Sequence, residues 1–467
     1  MTDAAALHVD TLISGAMLVT FDGERRIVKD GSIAIAGTRI VAVGKRTEIE
    51  PGIVARKTID GRRFVVTPGF VNGHIHVTGE PLTRGYVPDN TGFEENVWRW
   101  LIPLYHAHTP EEERLSAQLA AVEMLRSGAT CFLEAGTILD LDAVVDGLTE
   151  TGIRGRVGAW AQDRAYDPTE NQTALTDKAI RVLQDEMERF PGGKQARIAA
   201  WPNLVGHSTG TDELWTAAKA LADRYGAGIS AHMSPAPLDA EWYLENTGRR
   251  PIAHLAEIGV LGANVSLTHA VHLDAHEVGL LASTGTNVTH CPLSGLKGAY
   301  GITSKGLFPE MAAAGVNIML GTDGNNNGNA SDIMRCIYLA AALQKDARRD
   351  ASLFPAHEAL TMATLNGAKA LGLENEIGSL EVGKKADLVL HDTGRPEWRP
   401  LHNVLNQLVW SADGRGVHSV FVDGVRVIDN YRSTLIDEEE LYRKAQIAGE
   451  TIVARSGLPF VSAWPVV

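Results

Sequence analysis

Residues 63–76 read R-F-V-V-T-P-G-F-V-N-G-H-I-H, an apolar, β-branched run that ends in two histidines, His74 and His76. In an extended strand, residues i and i+2 point to the same face, so both imidazoles can reach one ion. Four later stretches end, or run through, an apolar strand in the same way. They are S-A-H-M-S (His232), L-T-H-A-V-H-L (His269), T-H-C-P (His290) and L-G-T-D-G (Asp323). Imidazoles and a carboxylate at successive strand ends are what one divalent metal needs to activate water.

Around these stretches the middle of the chain alternates strand and helix about eight times, which favours an α/β fold with parallel strands. After V-V-T-P-G-F-V-N come A-T-C-F-L-E-A, R-G-R-V-G-A-W-A and A-R-I-A-A-W-P-N-L-V, then G-A-G-I-S-A-H, A-N-V-S-L-T-H, T-N-V-T-H-C-P and V-N-I-M-L-G-T-D. Helical patterns lie between them, such as the one that starts at Pro110 and stops at Gly128. The expected fold is a (β/α)8 TIM barrel over 67–376. The chemically loaded residues fall at the C-terminal strand ends, where such barrels carry their active sites. Residues 1–66 and 377–435 are Gly-punctuated and β-branched, which suggests a small β-sandwich assembled from both chain ends. Residues 436–467 read as a C-terminal helix and tail.

Bulk properties exclude several functions. A net charge of −14 argues against nucleic acid or an anionic membrane as the partner. Cys131, Cys291 and Cys336 are odd in number and lack CxxC spacing, so a reducing cytoplasm is expected rather than a disulfide framework. The N-terminus has no basic segment followed by an apolar core, and no uncharged apolar run reaches the roughly eighteen residues of a membrane helix.

P-G-F-V-N-G-H-I-H, the later strand-end motifs and the closing E-I-G-S-L-E-V-G-K-K-A-D-L-V-L-H-D (376–392) together resemble the metal-dependent amidohydrolase superfamily. The likeness is closest to its branch of S-adenosylhomocysteine deaminases, s-triazine hydrolases and thiocarbamate (molinate-type) and phenylurea hydrolases. The resemblance implies His74, His76, His232 and Asp323 as metal ligands and His269 as a catalytic partner facing substrate. Asp323 would also move the proton between water and leaving group. Two-metal relatives place a lysine at the end of the fourth barrel strand. R-I-A-A-W-P-N-L-V-G-H (197–207) has none, so one ion is expected. Zinc suits three histidines and an aspartate, with cobalt, iron or manganese as alternatives. Homo-oligomers, dimers or tetramers, are common among such relatives.

Two departures bear on substrate. Deaminases of the branch carry H-x-x-E after the fifth strand; here H-M-S-P puts Pro235 at the acidic position. Asp239 and Glu241 follow, displaced from that slot. In W-R-W-L-I-P-L-Y (98–105) Tyr105 stands where nucleoside deaminases place a ribose-binding glutamate. Trp98, Tyr105, Trp201, His207 and His290 are candidate substrate contacts, with Trp100, Trp160 and Tyr243 as further aromatics in the same loops. The leading expectation is a one-metal hydrolase acting at a carbonyl carbon of a small apolar amide, urea, carbamate or thiocarbamate, in the manner of a xenobiotic-degrading enzyme. The alternatives are a deaminase of a purine, pterin or s-triazine ring and, more remotely, an inactive binding scaffold.

Overall fold

The computed structural model describes residues 6–167, 169–192 and 196–466. Five strands open the chain: β1 (Leu7–Val19), β2 (Ile27–Ala36), β3 (Arg39–Lys45), β4 (Ile53–Asp60) and β5 (Phe64–Pro68). Nine more follow: β6 (Phe70–Ile75), β7 (Ala129–Glu134), β8 (Arg154–Val157), β9 (Ile198–Ala200), β10 (Asn203–Gly206), β11 (Ile229–Met233), β12 (Val265–His269), β13 (Asn287–His290) and β14 (Ile318–Leu320). The chain closes with β15 (Leu388–Asp392), β16 (Val417–Val422), β17 (Val425–Asp429), β18 (Arg432–Ser433) and the helix Glu438–Ser456.

The strands β6 to β14 are parallel neighbours in chain order, in a four-stranded and a five-stranded run. Two seams join these runs into a barrel. At the first, the fourth barrel strand is broken at Trp201-Pro202. Its first part, β9, pairs with β8 and its second part, β10, with β11, while the Val205 N–H bonds to Ala161 O at 2.9 Å. At the second, the Asp323 N–H donates to His74 O at 2.9 Å, and the Asn72 amide donates to Thr322 Oγ1 and accepts the Thr322 backbone N–H. A Cβ on Gly73 would lie 2.6 Å from Met319 Sδ, so glycine lets the first and last barrel strands approach. Helices cover the outside. The helix Pro110–Arg126 starts with a capping box between Thr109 and Glu112, as its sequence suggests.

The two chain ends share one hydrogen-bonded sheet, ordered β18-β17-β16-β15-β5-β1-β2-β3, with β4 also on β1. The sequence suggested a sandwich from both chain ends; their strands form one continuous sheet that passes through β1. This strand is irregular around Gly15 (φ +79°), pairing with β4 before it and with β5 after it. Ile13, Leu18, Ile33, Ile40, Val66, Leu388 and Phe421 fill its core. Arg154 on β8, fully buried, pairs with Asp387 and Asp423 beside β15 and β16, and so fastens barrel to sheet. Among the described residues, no helix is long and apolar enough to cross a membrane.

Candidate metal centre and active site

Five side chains from four strand ends meet at one mouth of the barrel. His74 and His76 leave the end of β6 on the same face, as their spacing dictates, and His232 comes from β11. One ring nitrogen of each lies within 4.8 Å of the other two, and His74, His269 and Asp323 form an overlapping set at the same limit. Asp323 Oδ1 is 3.1 Å from His76 Nε2 and 3.6 Å from His74 Nε2; Asp323 Oδ2 is 3.8 Å from His269 Nε2.

Backbone strain helps to assemble the set. Thr268 faces the interior, where its hydroxyl meets His74 Nδ1 at 2.9 Å, so simple alternation would turn His269 out to the helices. His269 instead takes φ +77° and Asp323 takes φ +63°, conformations that L-residues adopt at a cost and that cluster at functional sites. His207 and Ser234 are also left-handed, both at φ +53°.

The donor set fits a divalent ion. His232 Nδ1 bonds to Val205 O at 2.9 Å, which fixes the N–H there and leaves the Nε2 lone pair for the cluster. The Thr268 hydroxyl at His74 Nδ1 likewise turns that ring's Nε2 to the cluster. His74 Nε2 and Asp323 Oδ2 are buried with no hydrogen-bond partner, a costly arrangement unless a cation meets them. Burial, with the neighbouring imidazoles, holds His232 well below the usual histidine pKa. Asp323 is driven well below the carboxylate range: burial opposes this, and His74 and His76 outweigh it. Metal binding requires those charge states. His76 goes the other way: burial resists its charge, yet Asp323, Glu80 and Glu134 raise it to about 9. The surroundings of that ring call for a positive charge.

His269 is neutral, pushed down to about 3 by burial against a smaller pull from Asp323. His207, at the end of β10, stacks on His232 with ring centroids 5.5 Å apart. Its Nδ1 is held by Asp239 Oδ2 at 2.8 Å, and Asp239 also accepts the Ser234 N–H at 2.6 Å. Tyr105 lies along His76 at 6.4 Å and meets Trp160 at 5.9 Å. Tyr300 stands edge-on to His269 at 5.4 Å, and Phe93 bridges Tyr300 and His207. The cluster therefore lies under an aromatic enclosure with one polar histidine in its wall.

Three of the candidate contacts have other neighbours in the fold. Trp201 packs in the core with Val71, Cys131 and Met319, against Gly228 just before the first residue of β11, the end of the barrel opposite the cluster. Trp98 is 55% exposed and meets Tyr166 instead. His290 stacks on Phe308 at 3.9 Å. Its neighbour Thr289 points inward to Gly73 O, so alternation turns His290 to the helices. Of the further aromatics, Tyr243 supports His207 from behind through a 3.1 Å bond to its carbonyl, and Trp100 packs on Tyr86. Sequence reasoning missed Phe93 and Tyr300, which carry no local signal. It also missed the fully buried carboxylates Glu80 and Glu134, the latter held by Gly136, Thr137 and Asn203.

The model of the amidohydrolase family matches residues 65–427. A 5-methylthioadenosine/S-adenosylhomocysteine deaminase of Moorella thermoacetica is 33% identical over 444 residues, covering 92% of this chain and 97% of the relative. A 5'-deoxyadenosine deaminase of Methanosarcina acetivorans is 32% identical, covering 96% and 99%. Among solved structures, an adenosine deaminase from Xanthomonas campestris with bound zinc superposes with a TM-score of 0.86 at 28% identity, over 96% of this chain and all of that one. A zinc complex of atrazine chlorohydrolase from Arthrobacter aurescens gives 0.86 at 24% identity, over 94% and 100%, a likeness of fold.

Proposed function

This chain belongs to the amidohydrolase family, and from that premise we propose that it is a one-metal hydrolase attacking the carbonyl carbon of a small apolar amide, urea, carbamate or thiocarbamate. The observation that carries this choice is the loop after β11. Pro235 stands three residues after His232 and has no proton to give. The nearest carboxylate downstream, Asp239, has its Oδ2 committed to His207 and the Ser234 N–H. Deamination of a heterocycle needs a group there to protonate a ring nitrogen before water adds. A carbonyl substrate has no such need.

His74, His76, His232 and Asp323 would hold one divalent ion, zinc being the best match, whose Lewis acidity brings water close to ionisation at neutral pH. The remaining work falls to side chains. The Asp323 carboxylate takes a proton from the attacking water and passes it to the departing nitrogen or sulfur. His269 beside it offers an N–H to the carbonyl oxygen as charge develops. Tyr105, Trp160, Phe93 and Tyr300 exclude water and receive apolar substituents, while His207 supplies a polar contact.

The names of the relatives at 32–33% identity favour a second reading, deamination of a purine, pterin or s-triazine. Products separate the two. Zinc-loaded protein is offered ureas, carbamates, thiocarbamates and aminated heterocycles, and the released molecules are identified. The proposal expects an amine or thiol, with a preference of about a hundredfold over the heterocycles. Brisk release of ammonia from an aminopurine or aminotriazine would sink it.

A further inference from the structure

Glu80 is a fully buried carboxyl group that the mechanism above leaves unused. Its Oε1 accepts the Tyr105 hydroxyl at 2.7 Å. Its Oε2 accepts the backbone N–H groups of Asn326 and, at 3.3 Å, Asn327. The carboxylate lies flat on Gly324, where a Cβ would fall 2.0 Å from Oε1. Gly324 in turn gives its N–H to Asp323 Oδ1 at 2.7 Å. On the other side the Tyr105 ring rests on Gly79 (φ +76°), whose Cβ would fall 2.3 Å from the ring. Two glycines thus clear the space in which one carboxylate touches both the aromatic wall and the loop that carries Asp323.

Asn326 tightens the arrangement. Its side chain donates to Thr83 Oγ1 at 2.9 Å and accepts the Gly85 N–H at 3.1 Å, while Lys297 caps its carbonyl at 2.7 Å. The loops after β6 and β14 are therefore stitched together, with Glu80 at the innermost stitch. A buried carboxyl group is expensive to keep without hydrogen bonds, and three donors converge to hold it.

We propose that Glu80 is a positioning residue that couples the Tyr105 wall to Asp323, so that the metal's hold depends on a tyrosine hydroxyl that does not touch the metal. Donors and acceptors one bond removed from a ligand are worth about 10–100-fold in metal affinity. Gly324 is that donor, and Glu80 and then the Tyr105 hydroxyl stand behind it, which places their effect at the bottom of that range. Because both ends act through one carboxylate, the effects of changing them are not additive. The same coupling makes any ligand that displaces Tyr105 alter the affinity for zinc.

The proposal rests on the cluster being a one-metal site with Tyr105 in its wall. Its test is zinc affinity, measured by competition with a chelator on the full chain, for wild type, Tyr105→Phe, Glu80→Gln and the double variant. Circular dichroism and a thermal melt confirm that each is folded. The expected result is about tenfold weaker zinc binding in Tyr105→Phe, at least as much in Glu80→Gln, and no further loss in the double variant. Wild-type zinc affinity in Tyr105→Phe, or strictly additive losses, would overturn the coupling. Absence of zinc binding by the wild type is a different failure, that of the metal site itself.

Discussion

At the scale of single residues, two histidines with the same local sequence have opposite fates. His269 and His290 each follow a threonine at the end of a barrel strand. His269 joins the cluster because its backbone turns to φ +77°, whereas His290 stays in register and meets Phe308. His74 and His76 were legible because strand geometry alone aligns them. The turn at His269 was not, since the residues after it bond to Met233 and Ser234 at the end of β11, distant in sequence. If His269 serves the developing oxyanion, His269→Asn should keep its zinc and lower kcat by about 10²–10³-fold with little change in KM. Loss of zinc in that variant, measured by elemental analysis, would make His269 a ligand and contradict the role assigned to it.

At the scale of elements, the strand ends were readable and the loops were not. Apolar periodicity marks β6, β11, β12 and β14, and the chemistry sits within one residue before and three after their ends. The aromatics are harder, because a tryptophan serves core, surface and pocket equally well. Trp201 sits where the fourth barrel strand breaks and fills the far end of the core; Trp98 stays at the surface. Asp239 shows how an element reassigns a residue. Beyond the turn at Ser234 and Pro235, its carboxylate holds His207 and the Ser234 N–H. Asp239→Asn should therefore raise KM about tenfold through a loosened His207, leaving bound zinc unchanged. An unaltered KM would mean that His207 does not meet the substrate.

At the scale of the molecule, alternating strands and helices made the barrel legible, and the matching texture of the two ends made the added β-domain legible. What the pattern could not convey was the buried ionic joint between them: Arg154 with Asp387 and Asp423, joined by Lys385 and Arg197. Arg154→Ala leaves two buried carboxylates short of a partner and should destabilise the fold by about 3–5 kcal/mol. Zinc affinity should stay as in the wild type, because the joint lies at the opposite end of the barrel. Denaturant titration checks the first expectation and chelator competition the second. The central claim, that one metal ion held by three histidines and an aspartate drives attack on a carbonyl carbon, is tested most directly by returning zinc stepwise to metal-stripped protein. The measurement follows hydrolysis of its best urea, carbamate or thiocarbamate substrate, with products identified at each step. The account predicts no turnover without metal, a linear rise, a plateau at one zinc per chain, and an amine or thiol as the product. Turnover in the stripped protein, or a plateau only at two zinc per chain, would contradict it.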